Sequence, residues 1–429
     1  MHGSTHAIIP TELISYRIND RKVAFPAVVV GGGCLVFAAI LGAIFSGPDF
    51  FHAYLGAYLF WFGLTMGCLG LTMLHHLTGG RWGELLRPYL ETGTKSLPLM
   101  FLLFVPVLLA RKLIYPWAHD VPNTAAVTWQ AQHWFMTWFV VLRYVIYFAV
   151  WIVLAFGLLR QYRLRDEVAP ADPSKNSGPS FRVLSAPGIV VMVVTLTLAM
   201  IDWAMSVQAG WYSTIYGLLA VASSGLTAFS FMVIVLALVT RQYDASHHGG
   251  HGHGPLVAPG DWHDLGNLMF AFTMLWGYMS LSQMLITYSG NLPAETIFYR
   301  FRSINGWQYV GGALIVVHFV VPFLLLLMRN VKRDPRKLVL VALFVLCVRQ
   351  VDFYYQIHPS YTEGLRAADV MRNPDGTYDF SIVRSAFGLH TALHVLAVLG
   401  LGGLWVAFFA WNLRDRRVLP APAVENHHG

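Results

Sequence analysis

The hydrophobic pattern consists of long unbroken apolar runs separated by short polar segments. Ten runs are long enough to cross a bilayer, which takes about 20 residues in helical form: 26–45, 52–77, 97–115, 134–160, 184–205, 213–240, 265–289, 306–328, 337–356 and 386–412. They are continuous and not alternating, so they predict helices and exclude a strand barrel. The predicted fold is an all-α integral membrane protein of about ten transmembrane helices. Residues 1–25 carry Glu12, Arg17, Asp20, Arg21 and Lys22 without an apolar core, so the first run is expected to be retained.

Charge sets the orientation. Twenty Lys and Arg fall in the termini and even-numbered loops, against seven on the other side, which predicts that both termini are cytoplasmic. This topology accounts for the formal net charge of +7 without nucleic acid. Only 12% of the residues are charged and mean hydropathy is +0.54. Cys34, Cys68 and Cys347 all lie in apolar runs and form no CxxC or CxxCH motif, so no iron–sulfur cluster, haem c or structural zinc is expected on this chain.

The segment 163–182 carries Pro170, Pro173, Gly178 and Pro179 and reads as a linker dividing the chain. Helices 2–5 and 6–9 both start on the outer side, so a repeat between them would be parallel. Ile201-Asp202-Trp203 and Val351-Asp352-Phe353 are echoed near the ends of helices 5 and 9. The expected organisation is an N-terminal segment 1–25, a peripheral helix in 26–51, a four-helix bundle over 52–205 and a second over 206–356. An outer loop 357–385, a peripheral helix 386–412 and a tail 413–429 follow.

Ionisable residues inside membrane helices are expensive and mark paths or pairs. Helix 4 places Arg143, Tyr147 and Trp151 on one face, and helix 5 places Thr195 and Asp202 on one face. Helix 8 carries His318 one turn before Pro322, where a kink is predicted. Arg349 and Asp352 are three apart on helix 9, and His390 and His394 four apart on helix 10. Each admits a structural reading: Arg143 as counter-charge to Asp202, Arg349–Asp352 as an ion pair within one helix, His318 as a packed core imidazole. Together, Asp202, Asp352, His318, Arg143, Arg349, His390 and His394 are the candidates for a proton path.

Haem is not expected, because His390 and His394 share one helix face and His75 and His76 end helix 2 pointing different ways. The tract His247-His248-Gly-Gly-His251-Gly-His253 reads as a flexible loop in preference to a metal site. The stretch His75–Gly83 lacks the lysine and preceding strand of a phosphate loop and reads as a helix end, a glycine turn and an interfacial Trp82/Arg81 anchor. Asp261 before helix 7 reads as an N-terminal capping acid.

Several strings resemble a known family. Ile201-Asp-Trp-Ala-Met-Ser206 with Trp211-Tyr-Ser-Thr-Ile-Tyr-Gly217 is similar to the NrfD-like membrane subunits of alternative complex III. So are His263-Asp-Leu-Gly-Asn-Leu-Met269, Leu275-Trp-Gly-Tyr278, Ser282-Gln283 and Tyr288-Ser-Gly-Asn-Leu-Pro293, together with His76–Gly83 and Val348–Asp352. The likeness covers nearly the whole chain. It implies two four-helix bundles plus two peripheral helices, in a bacterial inner-membrane quinol:electron-acceptor oxidoreductase. Its partners would be a larger quinol-binding NrfD-like subunit, an iron–sulfur subunit and c-type cytochromes, with lipids around them. Haem c and iron–sulfur clusters would sit in those other subunits and quinol would be the substrate, leaving this chain without a cofactor. The expected function is that of a non-redox subunit providing a proton path. A purely structural scaffold and an independent transporter are the rivals. The His-rich loop is the one departure from the family pattern.

Overall fold

The structure is a computed structural model. It describes residues 13–15, 20–118, 133–168, 181–208, 211–246, 256–360, 383, 385–414 and 417–420. The linker residues 169–180 and the tract His247–His253 lie outside these. Apart from one short ribbon, the described residues are helical. Among the described residues nine helices are long and apolar enough to cross a membrane, and a tenth crossing is present if a pair bent by 41° is one span.

The helices follow the apolar runs and extend past most of them. Helix α1 covers Asp20–Phe45 and α2 covers Gly47–Thr78. The Ser46 hydroxyl accepts the Asp49 N–H at 3.4 Å and Pro48 occupies the first turn, so α2 starts five residues before its run. It ends where Gly79 and Gly80 adopt φ of 71° and 100°, which only glycine tolerates freely. The predicted glycine turn at 79–80 is therefore present.

The third span differs from expectation. The sequence predicts a helix over 97–115, but the structure has two helices, α3 (Arg81–Thr94) and α4 (Leu97–Leu109), bent by 41° at Lys95–Ser96. Pro98 sits in the first turn of α4, where its missing N–H is harmless, but its ring prevents α3 from running straight on. The segment read as a loop is an amphipathic helix that buries Leu85, Leu86, Tyr89 and Leu90. Trp82 is half-buried and meets the His75 ring edge-on at 5.4 Å, so it packs inward as well as anchoring.

Five more spans follow: α5 (Thr137–Val168), α6 (Phe181–Trp203), α7 (Tyr216–Ser246), α8 (Pro259–Gly290) and, after the short α9 (Pro293–Phe301), a composite span. That span runs through α10 (Trp307–Leu314), a π-helical turn over Ile315–Val320 and α11 (Val321–Leu327). The expected disturbance near Pro322 thus takes the form of a π turn. A proline ring clashes with the carbonyl four residues back, that of His318, and a widened turn relieves the clash. Short α12 (Arg329–Arg333), then α13 (Pro335–Ile357) and α14 (Leu389–Leu413), complete the helices.

Strands β1 (Leu13–Ser15) and β2 (Arg417–Pro420) pair antiparallel, which brings a segment before α1 and a segment after α14 together at one end of the helices. The apolar window of α2 is 89% buried, against 17% for α1, so α2 is the hub and α1 lies at the periphery. Around α2 pack α3, α6, α7, α13 and α14, and α7 in turn touches α6, α8 and α13.

Helix α14 is fastened to α2 by two indoles: Trp61 Nε1 donates to the Val398 carbonyl at 3.0 Å, and Trp405 Nε1 to Thr65 Oγ1 at 2.9 Å. Helix α1 is held to α14 through glycines. A Cβ on Gly403 would lie 2.4 Å from the Ala27 carbonyl oxygen and 2.6 Å from the Gly31 Cα. Backbones approach this closely only where side chains are absent, the usual basis of small-residue packing in membranes. Gly403→Leu is expected to lift α1 off α14. Alkylation of half-buried Cys34 by a membrane-permeant maleimide should then speed up several-fold, while exposed Cys347 reacts as before. Unchanged Cys34 reactivity would mean that α1 is held by other contacts.

Candidate functional site

The first buried acid, Asp202, lies in the last turn of α6 and is 2% exposed. Its carboxylate is filled. Oδ2 accepts Arg143 Nε at 2.8 Å and the Tyr147 hydroxyl at 3.0 Å; Oδ1 accepts Arg143 Nη2 at 3.0 Å and Trp134 Nε1 at 2.9 Å. Four donors match the lone-pair capacity of a carboxylate, and the guanidinium engages it with a two-pronged fork. Arg143 Nη1 also donates to the Trp134 carbonyl at 2.7 Å, with its guanidinium 4.2 Å from the centre of that indole. The predicted polar faces of α5 and α6 therefore meet, and one turn further Trp151 Nε1 donates to Thr195 Oγ1 at 2.8 Å. Trp134 was missed because it precedes α5 and no helical spacing connects it to Asp202.

The second acid, Asp352 of α13, is held differently. Arg349 Nη1 donates to Oδ2, as the i, i+3 spacing predicts, and Gln356 Nε2 donates to Oδ1 at 3.0 Å. His318 Nδ1, on the π turn, lies 4.0 Å from Oδ2. Gln356 Oε1 accepts the Tyr216 hydroxyl at 3.0 Å, so a polar chain runs from His318 through Asp352 and Gln356 to the first residue of α7. Unlike Asp202, this acid sits among spare capacity. Arg349 Nε and Nη2, both ring nitrogens of His318 and Trp276 Nε1 have no hydrogen-bond partner among the described residues. His318 and Arg349 are 0% exposed, and the Trp276 and His318 rings lie 3.8 Å apart. Each buried polar group left unbonded costs about 1–3 kcal/mol, so groups like these are satisfied by water or by an exchanging proton where the site admits one.

The third group is new in composition. His390 and His394 of α14 do not approach Asp352; they face Tyr354 and His358 instead. Ring centres of His358 lie 5.6 Å from His390 and 5.3 Å from His394, and the Tyr354 and His358 rings are 4.4 Å apart. The Tyr354 hydroxyl donates to the Ala386 carbonyl at 2.8 Å. Gln350 and Tyr354 of α13 and the cap residue His358 form an i, i+4, i+8 stripe, opposite to the stripe of Arg349, Asp352 and Gln356. Helix α13 thus carries two polar faces where the sequence reading used one. Among the described residues no group of three His, Cys, Asp or Glu is arranged to hold a metal ion.

Two further charges lie outside the long apolar runs of the sequence and are buried. Arg302, after α9, is 2% exposed and donates to the carbonyls of Tyr355 (3.0 Å), Gln356 (2.6 Å) and Phe298 (2.8 Å). It also reaches Gln208 Oε1 at 3.3 Å, and Ser360 Oγ donates to the same oxygen at 3.0 Å. Burial pulls the Arg302 pKa down to about 10, which still leaves it charged at neutral pH. It ties the ends of α6, α9 and α13 together beside Asp352. Glu91 of α3 is 6% exposed and accepts Arg87 Nε at 2.7 Å. Asp261 behaves as expected: Oδ2 accepts the Ala258 N–H at 3.1 Å, and Oδ1 pairs with Arg81 at 3.0 Å.

The described residues thus define a multi-pass helical membrane protein with nine to ten candidate spans and several buried polar groups. Compared with known proteins, the chain matches no family model and no curated protein.

Proposed function

We propose that this chain is a non-redox membrane subunit of a quinol-oxidising electron-transfer complex of the alternative complex III type, and that it passes protons through the half containing Asp352. The particular likeness is to ActF, the shorter of the two NrfD-like subunits of that complex. In this reading helices α2–α6 form one four-helix bundle, α7–α13 a second, and α1 and α14 are peripheral. Both termini lie in the cytoplasm of a bacterium and the chain spans the inner membrane. The partners are a quinol-binding NrfD-like subunit, an iron–sulfur subunit and c-type cytochromes; these partners carry the haem c and iron–sulfur clusters.

The observation that carries the proton-path reading is the contrast between the two acids. Asp202 is saturated by four donors, whereas Asp352 adjoins an imidazole and a guanidinium with unused hydrogen-bonding capacity and connects through Gln356 to Tyr216. A group that relays protons must change its hydrogen bonds during turnover. Arg349 stays protonated and sets the charge on Asp352, while His318 and Asp352 exchange the proton. Asp202 and Arg143 act as a structural lock in the first bundle. Extraction in mild detergent tests the partnership. The chain is expected to co-purify with proteins that give a c-type haem spectrum and an iron–sulfur signal. Isolation of the chain by itself, with full ion transport after reconstitution, would favour an independent transporter.

A further inference from the structure

A basic rim borders exposed apolar surface at the end of the molecule where β1 and β2 pair. Between α11 and α13 the sequence Arg329-Asn-Val-Lys-Arg-Asp-Pro-Arg-Lys337 places five cations against one acid. Met328, with φ −75° and ψ 118°, breaks the composite span and turns the chain into α12, so the cations gather at the helix ends. Arg329, Arg333, Arg336 and Lys337 are exposed. Immediately before and after them, Leu324 (53%), Leu327 (52%), Met328 (47%) and Leu340 (65%) are exposed apolar side chains on spanning helices.

The inner wall of this rim is Lys332, only 9% exposed. Its stem lies over Gly266, where an added Cβ would be 2.6 Å from Lys332 Cγ, and its Nζ donates to Asn267 Oδ1 at 2.7 Å. An ammonium has three donors, and this contact uses one. The neighbouring acids do not neutralise the cluster. Asp334 caps α13 and lies 3.6 Å from Lys337, Asp261 is paired with Arg81, and Asp264 lies 3.8 Å from His263. Among the described residues Arg329, Lys332, Arg333 and Arg336 have no ion pair.

We propose that this rim binds the phosphate headgroup of an anionic phospholipid, with the acyl chains lying along Leu324, Leu327 and Leu340. Guanidinium forks match phosphate oxygens, and a buried ammonium behind them supplies a fixed charge. A soluble phosphate or an acidic protein would use the cations but not the apolar surface that adjoins them. Basic clusters at helix ends gain about 1 kcal/mol per residue from anionic lipid, roughly fivefold in affinity each. The proposal is independent of the electron-transfer reading.

Native mass spectrometry of the full chain in mild detergent, with added phosphatidylglycerol or phosphatidylcholine, tests it. Phosphatidylglycerol is expected to remain bound and phosphatidylcholine to be lost. The exposed triple variant Arg329→Gln/Arg333→Gln/Arg336→Gln should lose at least tenfold in phosphatidylglycerol affinity. Arg160→Gln/Arg182→Gln/Arg241→Gln, which removes the same charge elsewhere at that end, should keep it. The site is overturned if both lipids bind alike, if the first triple variant binds as the parent does, or if both variants lose equally. Gel filtration establishes that each variant is folded. Should the triple variant aggregate, Arg329→Gln/Arg336→Gln takes its place with the same criteria.

Discussion

Asp202→Leu is expected to lower stability by about 3–5 kcal/mol, because it leaves the Arg143 guanidinium buried without its counter-charge. Arg143 is 6% exposed, and three of its donor contacts go to Asp202 and to the carbonyl of Trp134. Only the last survives the substitution. Removing both charges together is a different experiment. Asp202→Leu/Arg143→Leu replaces an ion pair by apolar surface, and such replacements are often neutral or stabilising. The double variant should therefore regain most of the lost stability, a non-additivity that a double-mutant cycle reads directly. Unfolding of purified protein in mixed detergent micelles, followed by tryptophan emission, gives the four free energies. If the single variant loses less than about 1 kcal/mol, the pair is not a lock.

Asp352→Asn should lower proton movement well beyond any loss of folded protein, although it too leaves a buried guanidinium, that of Arg349, without its counter-charge. The amide keeps an oxygen for Arg349 and matches the carboxylate in shape, so proton release is compared per folded complex, whose amount is measured by gel filtration. It removes the group able to exchange a proton with His318, while Gln356 and Tyr216 only hold that group in place. A positioned acid or base is worth about 10²-fold or more. Proton release coupled to quinol oxidation, measured with a pH-sensitive dye in vesicles containing the native complex, should therefore fall by about that factor. Asp202→Asn, measured alongside, should change release only in proportion to the amount of folded complex. Equal release by the Asp352 variant and the parent would sink the relay. A loss specific to Asp202→Asn would move the path to the other half of the chain.

The difference between these acids was only partly legible in the sequence. Both stood out as isolated carboxylates beside an aromatic residue, and the i, i+3 spacing of Arg349 and Asp352 announced their contact. Arg143 was a candidate counter-charge for Asp202 that spacing could not confirm, since the residues are 59 positions apart and face each other only once α5 and α6 are packed. Gln356 could have been found, because it follows Asp352 by four on the same helix. Trp134, Trp276 and Tyr216 carry no such local signal. His390 and His394 were identified as a pair on one face, but their neighbours, Tyr354 and His358, lie on the face of α13 away from Asp352. Spacing on α14 alone could not tell which face of α13 it would meet.

Boundaries divided in a similar way. Most helices match their apolar runs within a few residues, since run length is set by bilayer thickness and needs no partner. The exception is α3, whose polar residues lower its hydropathy although Leu85, Leu86, Tyr89 and Leu90 are buried against other helices. A hydropathy window averages over the faces of a helix and so passes over one that is apolar on one side only. The same averaging assigned Arg302 and Lys332 to loops, where both are buried cations.

By itself, the sequence determined that this is an all-α, multi-pass membrane protein, where its spans run, and which few ionisable residues are costly enough to need partners. Those properties follow from transfer energies and helical periodicity, which act residue by residue along the chain. Tertiary structure alone decided that Asp202 is saturated and Asp352 is not, that the histidines of α14 form a separate group, and that segments before α1 and after α14 meet in a ribbon. Each depends on hydrogen bonds between segments far apart in sequence, whose geometry is fixed only when whole helices pack.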